Sequence, residues 1–241
     1  MTANPKRGPA YDILAERNRL ALQPPHAVLR WAWATYGARV AVTSSFQTQS
    51  LPLLHIIAAD APGVPVLFLD TGFHFPETLA FRDQVVAALG LNLEVVRPDM
   101  DRLHFDLLHG ELYSRDPDRC CYLNKVRPLE VAMQRFDAWI AGIRRDQTAV
   151  REAAHVLDLD AHGKVRIAPL LSWTHADVRR YISHNELPEH PLGARGYPSV
   201  GCAPCTQPAR GADPRAGRWA GANKTECGIH LLTPRDQVGS V

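Results

Sequence analysis

The 241-residue chain is short of cysteine, of net charge and of uninterrupted apolar sequence. Five cysteines are too few for a secreted scaffold held by disulfides, so we expect free or metal-bound thiols in a reducing cytoplasm. A formal net charge of +2 provides no general basic surface for nucleic acid, although a local patch could hold a small anion. Polar residues and prolines interrupt the longest apolar stretch, 51–69, so no membrane span is predicted. Residues 1–12 lack the apolar segment of a secretory signal, which also favours the cytoplasm.

Hydrophobic patterning predicts an α/β fold, and 46% hydrophobic residues are enough for a real core. Apolar runs predict strands at 39–45, 64–70, 93–97 and 138–143, and a hairpin from 155 to 168. Helices are predicted at 12–36 with a break at Pro24-Pro25, and at 49–59, 76–89, 101–109, 123–136 and 174–185. Such alternation indicates a mainly parallel sheet flanked by helices. We divide the chain into a helical segment, 1–36, an α/β domain, 37–205, and a mobile, loop-rich tail, 206–241.

A serine-rich turn follows the first predicted strand and opens a helix. It spans 43–50 and includes Ser44 and Ser45. Backbone N–H groups and the positive end of a helix dipole at such a turn suit an anion such as sulfate or phosphate. The alternative is an ordinary strand-to-helix loop with a serine cap, because the glycine-rich phosphate fingerprint is absent.

A second turn, Leu69-Asp70-Thr71-Gly72, ends the second predicted strand. Ligands of parallel sheets bind beyond the carboxyl ends of the strands, where Asp70 would reach a ribose hydroxyl or an adenine edge. The alternative is a turn in which the aspartate bonds its own backbone.

Four of the five cysteines form two close pairs, Cys120-Cys121 and Cys202-x-x-Cys205. Four thiolates suit either zinc or an iron–sulfur cluster. Adjacent cysteines are unusual in a zinc knuckle, whereas neighbouring residues could each meet a separate iron of a cluster. The alternatives are buried free thiols with an incidental C-x-x-C, or a redox pair of thioredoxin type. The redox pair is disfavoured because Pro204 leads into a predicted loop.

The fifth cysteine, Cys227, stands alone near the end of the chain. Lys224, His230 and nearby arginines would favour its thiolate, the reactive form, and Gly228 gives the backbone freedom. It is therefore a candidate nucleophile, and an incidental cysteine is the equally weighted alternative.

Several cations could recognise an anion, since a guanidinium fork matches sulfate and phosphate oxygens. Isolated arginines are more often solvated surface charges. The candidates are Lys125, Arg144, Arg145, Arg151, Arg215 and Arg218.

Taken in order, these segments resemble the assimilatory APS/PAPS reductases, the phosphoadenosine phosphosulfate reductase family. The matching segments lie between Arg39 and Leu231 and are Ser44-Ser45-Phe46, Leu69-Asp70-Thr71-Gly72, Cys120-Cys121 with Lys125-Val126-x-Pro128-Leu129, Gly142-x-Arg144-Arg145-x-Gln147, Arg215-x-Gly217-Arg218-Trp219 and Glu226-Cys227-Gly228-x-His230. The resemblance is greatest to the branch that uses adenylyl sulfate (APS). The cysteine pattern and the Glu-Cys-Gly-x-His segment are specific, and the serine-rich loop is much less so.

The resemblance implies an adenine-nucleotide α-hydrolase fold, as in PP-loop ATP pyrophosphatases. It also implies that Cys227 attacks the sulfur of APS, that AMP leaves, and that thioredoxin or glutaredoxin releases sulfite from the Cys S-sulfonate. By family position, Ser44, Ser45 and Asp70 lie near the nucleotide, and Lys125, Arg151, Arg215, Arg218 and catalytic His230 lie around the sulfate and phosphate. Gly72 and Arg144, at predicted strand ends, complete the substrate-binding set. A [4Fe-4S] cluster is implied at Cys120, Cys121, Cys202 and Cys205.

Two departures and three alternatives accompany this hypothesis. Gln47 stands where the family usually has glycine, and a residue with a Cβ tolerates positive φ poorly, so the loop shape is open. Segment 206–214 looks short, so the reach of the tail is open as well. The alternatives are a PAPS or dual-specificity reductase, a tRNA-modifying PP-loop ATP pyrophosphatase, and a zinc-binding adaptor. No nucleic acid or membrane partner is expected, and a homo-oligomer is left open.

Overall fold

The computed structural model describes residues 11–229 except 161, 210, 212, 223 and 225. The predicted catalytic residue His230 lies outside these described residues. No helix among them is long and apolar enough to cross a membrane.

A single six-stranded sheet organises the described chain, with the strand order β3-β2-β1-β4-β6-β5. The strands are β1 (Val40–Thr43), β2 (Val66–Leu69), β3 (Leu93–Val96), β4 (Ala138–Ala141), β5 (Leu157–Leu159) and β6 (Val165–Ile167). All neighbouring strands are parallel except β5 and β6, which form the predicted antiparallel hairpin. The chain runs outward from β1 to β3 and then returns to place β4 on the other side of β1. The strand order therefore reverses between β1 and β4, and a crevice is expected at their carboxyl ends.

Helices cover both faces of this sheet. They are α1 (Ile13–Leu20), α2 (Pro25–Tyr36), α3 (Leu51–Asp60), α4 (Pro76–Leu89), α5 (Arg102–His109), α6 (Leu112–Arg115), α7 (Pro117–Cys121), α8 (Arg127–Met133), α9 (Ala149–Glu152) and α10 (His175–His184). Alternate strand residues enter two separate cores, because successive side chains of a strand point to opposite faces. Val40 and Val42 pack with α2, α3 and α4, whereas Ala41 packs with Leu129 and Met133 of α8. The predicted α/β class, a mainly parallel sheet flanked by helices, is confirmed.

The sequence prediction was incomplete between 110 and 136. The expected helix from Leu123 to Phe136 ends at Met133, and helical turns already begin at Leu112. Asp116 starts α7 by accepting the Arg119 N–H at 2.9 Å. A π-helical turn, Tyr122–Val126, then joins α7 to α8. Such turns are frequent at functional sites, and this one carries Lys125.

Candidate active site

A cavity of about 310 Å³ lies at the carboxyl ends of β1, β2 and β4. Its walls include Thr43 at the end of β1, Leu69 at the end of β2, and Gly142 directly after β4. This is the position that the reversal of strand order predicts for a ligand.

The serine-rich turn forms one wall of the cavity. Ser44 and Ser45 both line it, and the Ser44 hydroxyl accepts the Phe46 N–H at 3.1 Å. The strained residue of this turn is Phe46, with φ 51°, and its fully buried ring packs edge-on against Phe68. Gln47 has φ −74°, so its Cβ meets no conformational penalty. The concern raised by a non-glycine residue at Gln47 is therefore resolved, because the positive φ lies one residue earlier.

The Gln47 side chain joins two walls of the cavity. Its Oε1 accepts the Val200 N–H at 2.9 Å, and its Nε2 donates to the Ser45 hydroxyl at 3.1 Å. The Val200 carbonyl in turn accepts from Arg218 Nη1 at 3.2 Å. Gln47 thus links the serine-rich turn to the segment that supports Arg218.

Asp70 and Gly72 do not line this cavity. The Asp70 carboxylate accepts the Gly72 N–H at 3.2 Å and pairs with Arg97 at 3.4 Å. Gly72 adopts φ 72°, which closes the turn. This arrangement matches the alternative of a turn aspartate, and contact of either residue with a nucleotide stays a prediction.

The structure brings the five predicted substrate-binding cations to one cavity. They are Lys125, Arg144, Arg151, Arg215 and Arg218. Arg144 pairs with Asp146 at 2.9 Å, and Arg151 pairs with Glu226 at 2.8 Å. Arg145 is not in the lining and donates to the Ala154 carbonyl at 3.3 Å.

The Arg218 side chain reaches the cavity by passing against Gly201, where a larger residue would not fit. A Cβ added to Gly201 would lie 2.3 Å from its Nη2, and its guanidinium stacks 4.5 Å from the Trp219 ring centroid. Among the described residues its buried Nε has no hydrogen-bond partner. Burial, and then the neighbouring charge of Arg218, hold the pKa of Arg215 below its usual range. Such crowded cations favour an anionic ligand.

Cys227 lies in the same cavity, half-buried. The preceding residue, Glu226, is buried and binds Arg151 with both carboxylate oxygens, at 2.9 and 2.8 Å. The following Gly228 has φ 92° and passes close to Val126. The candidate nucleophile and the cations therefore face the same space.

The other four cysteines surround a second, smaller cavity. Cys120 and Cys121 end α7, while Cys202 precedes a short 3₁₀ turn that ends at Cys205. Within the described chain, no three His, Cys, Asp or Glu side chains are arranged to hold one metal ion. The thiols thus border a common space without converging on a single point.

The four thiols differ in their pKa. Burial raises the pKa of Cys120 to about 12 and that of Cys205 to about 11, and it also raises the pKa of Cys121. Burial acts in the same direction on Cys202, but the charges of Lys125 and Arg218 and the contact with the Thr71 hydroxyl together outweigh it, so the pKa of Cys202 is lowered. Cys202 is therefore the thiol of this set that the site best prepares as an anion.

A family model agrees with this geometry. The phosphoadenosine phosphosulfate reductase domain matches residues 39–208. The chain belongs to this family. The match covers the sheet, the serine-rich turn and all four paired cysteines, so the resemblance of the sequence motifs is confirmed over most of the fold.

Relatives in the family extend the similarity into the tail. The adenosine 5'-phosphosulfate reductase of Streptomyces coelicolor is 44% identical over 222 residues, covering 90% of this chain and 93% of its own. The phosphoadenosine 5'-phosphosulfate reductase of Gloeobacter violaceus is 45% identical over 212 residues, covering 86% and 88%. A crystal structure of phosphoadenylyl-sulfate reductase from Candida auris has 30% identity and a TM-score of 0.71, covering 79% of this chain and 94% of that one.

Sequence reasoning missed the polar groups that join the family motifs to one another. Gln49 Oε1 accepts from Arg144 Nη1 at 2.9 Å, and Thr148 donates to Glu226 at 2.9 Å. Gln147 Nε2 donates to the same Gln49 Oε1 at 3.4 Å. Only Gln147 and Glu226 stood inside recognised motifs, where their residue type gave no hint of a partner distant in sequence.

Proposed function

We propose that this chain is an adenylyl-sulfate (APS) reductase that converts APS to sulfite and AMP through a covalent intermediate on Cys227. The observation that carries the proposal is the shared cavity: Cys227 faces Lys125 and Arg218 at the carboxyl ends of the sheet. APS pairs a nucleotide with two anionic groups, which suits a cleft at strand ends lined by cations. Relatives named as APS reductases, such as the S. coelicolor protein, support the same conclusion.

In the first step the Cys227 thiolate attacks the sulfur of APS. A sulfur–sulfur bond forms, the sulfur–oxygen bond to the phosphate breaks, and AMP leaves with that electron pair. Negative charge grows on the departing phosphate and on the sulfo group during the attack. Lys125, Arg215 and Arg218 are placed to stabilise this charge, and fixed cations in a partly dry cavity are effective because they need little reorganisation.

In the second step a dithiol reductant, thioredoxin or glutaredoxin, attacks the Sγ of Cys227. Sulfite leaves with the electrons of the sulfur–sulfur bond, and a mixed disulfide forms. The second thiol of the reductant resolves it, so that Cys227 returns as a thiol and the reductant ends as a disulfide. One dithiol thus supplies the two electrons of the reaction.

The four paired cysteines fit a [4Fe-4S] cluster. They border one small cavity, and four thiolates are a donor set typical of iron–sulfur clusters. Cys120, Cys121, Cys202 and Cys205 would each bind one iron, and the bound cluster would place a compact charged group beside Lys125. We expect four irons and four acid-labile sulfides per chain with visible absorbance, whereas one zinc without sulfide would contradict the cluster.

Use of PAPS, alone or together with APS, is the second candidate function. The 45% identity to the G. violaceus protein, which is named as a PAPS reductase, supports this second candidate. The cluster cysteines favour APS, since in the family they accompany APS use. A cytoplasmic location remains a prediction.

A single-turnover experiment tests the covalent step. Iron-quantified protein incubated with APS and no reductant should release about one equivalent of AMP and gain one sulfo group on Cys227, as found by peptide mass mapping. Cys227→Ser should do neither while keeping its iron and its thermal midpoint. AMP release by this variant would contradict the role of Cys227.

A further inference from the structure

Two contacts hold the tail on either side of Cys227. On the N-terminal side, the Glu226 carboxylate binds Arg151 with two hydrogen bonds, at 2.9 and 2.8 Å. On the C-terminal side, Ile229 packs against the core formed with α8. The intervening Gly228, at φ 92°, lets the chain turn between these contacts. The position of Cys227 is therefore defined by its neighbours in the chain.

The Glu226 carboxylate is buried and accepts three hydrogen bonds. Glu226 is 6% exposed and Arg151 is 8% exposed. The Thr148 hydroxyl adds a third hydrogen bond, at 2.9 Å, to the same carboxylate. Two charges removed from water in this way stabilise a structure only when their geometry is good, and loss of one partner leaves the other charge buried and uncompensated.

Arg151 also removes an electrostatic conflict. A free carboxylate next to Cys227 would repel both the anionic substrate and the thiolate that attacks it. With Arg151 bound to it, Glu226 adds no net charge to this side of the cavity. The Arg151 guanidinium meets Glu226 at Nε and Nη2, and its Nη1 donates to Gln147. All three of its nitrogen atoms are thus engaged with protein groups.

We propose that Glu226 is a positioning residue, whose ion pair with Arg151 holds Cys227 over the cavity. The inference rests on the proposed function, because it assumes that Cys227 is the nucleophile. It gives Arg151 a role in fixing the tail, beside the place around the sulfate and phosphate that its family position predicts for it.

The test removes the negative charge of Glu226 and keeps the size and shape of its side chain. In Glu226→Gln, released tail motion should raise the rate of Cys227 alkylation by iodoacetamide by at least about tenfold, because Arg151 loses its compensating charge. The rate is followed by peptide mapping of iron-replete protein, so that the cluster cysteines are counted separately. The kcat for sulfite release should fall by a similar factor while KM for APS changes less than about threefold, since the anion-binding groups are intact.

Glu152→Gln is the matched control. It makes the same substitution at an exposed carboxylate next to Arg151 and should leave both rates at their wild-type values. Thr148→Val provides a second test if Glu226→Gln folds poorly. It removes one neutral hydrogen bond and should raise the alkylation rate in the same direction but less, by about twofold to tenfold.

The outcomes separate this inference from the proposed function. An alkylation rate in Glu226→Gln and Thr148→Val equal to that of the wild type would overturn the positioning role, whatever the turnover. Wild-type turnover by Cys227→Ser would overturn the proposed function, whatever the alkylation rate of Glu226→Gln. A fall in activity confined to KM would also contradict the inference, since it would place Glu226 in substrate binding.

Discussion

The Lys125 ammonium lies beside the thiol of Cys202, and Lys125 lines both the large cavity and the cysteine cavity. Burial opposes the charge of Lys125, but the sulfur atoms of Cys202, Cys121 and Cys227 outweigh that cost and hold its pKa above the usual range. Lys125 is therefore charged where the two cavities meet. It couples the proposed cluster site electrostatically to the proposed site of sulfur attack.

Lys125→Gln should lower kcat/KM for APS by about 100-fold, because a fixed cation beside the developing negative charge is lost. The variant should also change the absorbance of the bound cluster. Lys164→Gln, at the hairpin, is the control and should retain both properties. Wild-type kcat/KM in Lys125→Gln would contradict a role for this cation in the chemistry.

Gly201→Ala should move the Arg218 guanidinium without altering its charge. The new Cβ would lie 2.3 Å from Nη2 and 2.5 Å from Cζ, so the arginine side chain must shift. Since displacement of a charged group by about 1 Å costs up to about 100-fold in rate, we expect kcat/KM to fall by between 10-fold and 100-fold.

Gly193→Ala is the control for this substitution, since a Cβ there meets nothing within 4 Å. It should behave as wild type in steady-state kinetics. Equal activity of Gly201→Ala and Gly193→Ala would show that the position of Arg218 does not matter.

Gln47→Gly restores the residue that the family usually has, and it should lower the stability of this protein. The substitution removes the hydrogen bonds to Val200 and Ser45, and it relieves no strain because φ of Gln47 is −74°. We expect the free energy of unfolding to fall by about 1–3 kcal/mol in urea titrations. Gln23→Gly, in an exposed turn, gives the backbone effect alone and should cost less. A more stable Gln47→Gly variant would contradict a stabilising role for these two hydrogen bonds.

Much of this fold was predictable because its physical causes are local. The buried β2 strand showed as a continuous apolar run, and the Thr174 cap marked the start of α10. The π-helical turn at Tyr122–Val126 was missed, since nothing local distinguishes it from an α-helix. The tail contact of Glu226 with Arg151 spans 75 positions, so no local pattern could reveal it. Residue types predicted most of the side chains that line the large cavity, whereas the contacts between those side chains had to come from tertiary structure.

A pH dependence follows from His190. It is buried, its Nδ1 accepts the Leu192 N–H at 3.2 Å, and its Nε2 meets the Thr78 hydroxyl at 3.0 Å. Burial lowers its pKa below the ordinary value of 6.5. Above 6.5 the imidazole is neutral in both states, and its contribution to stability is fully present. As the pH falls below that value the unfolded state takes up the proton more readily, so the contribution is lost.

Urea unfolding between about pH 8 and pH 5 measures this contribution. The stability advantage of wild type over His190→Gln should be largest at the upper end and should shrink on acidification. His26→Gln, the same change at an exposed histidine, should reproduce the wild-type curve. An advantage over His190→Gln that stays constant across this range would contradict the assignment.

Anaerobic turnover of iron-quantified protein with thioredoxin decides whether this protein reduces APS with thiols. Sulfite and AMP should appear in equal amounts from APS. The kcat/KM for APS should exceed that for PAPS measured in the same preparation. Absence of sulfite from both nucleotides would contradict the proposed reaction, and a higher kcat/KM for PAPS would contradict the proposed substrate.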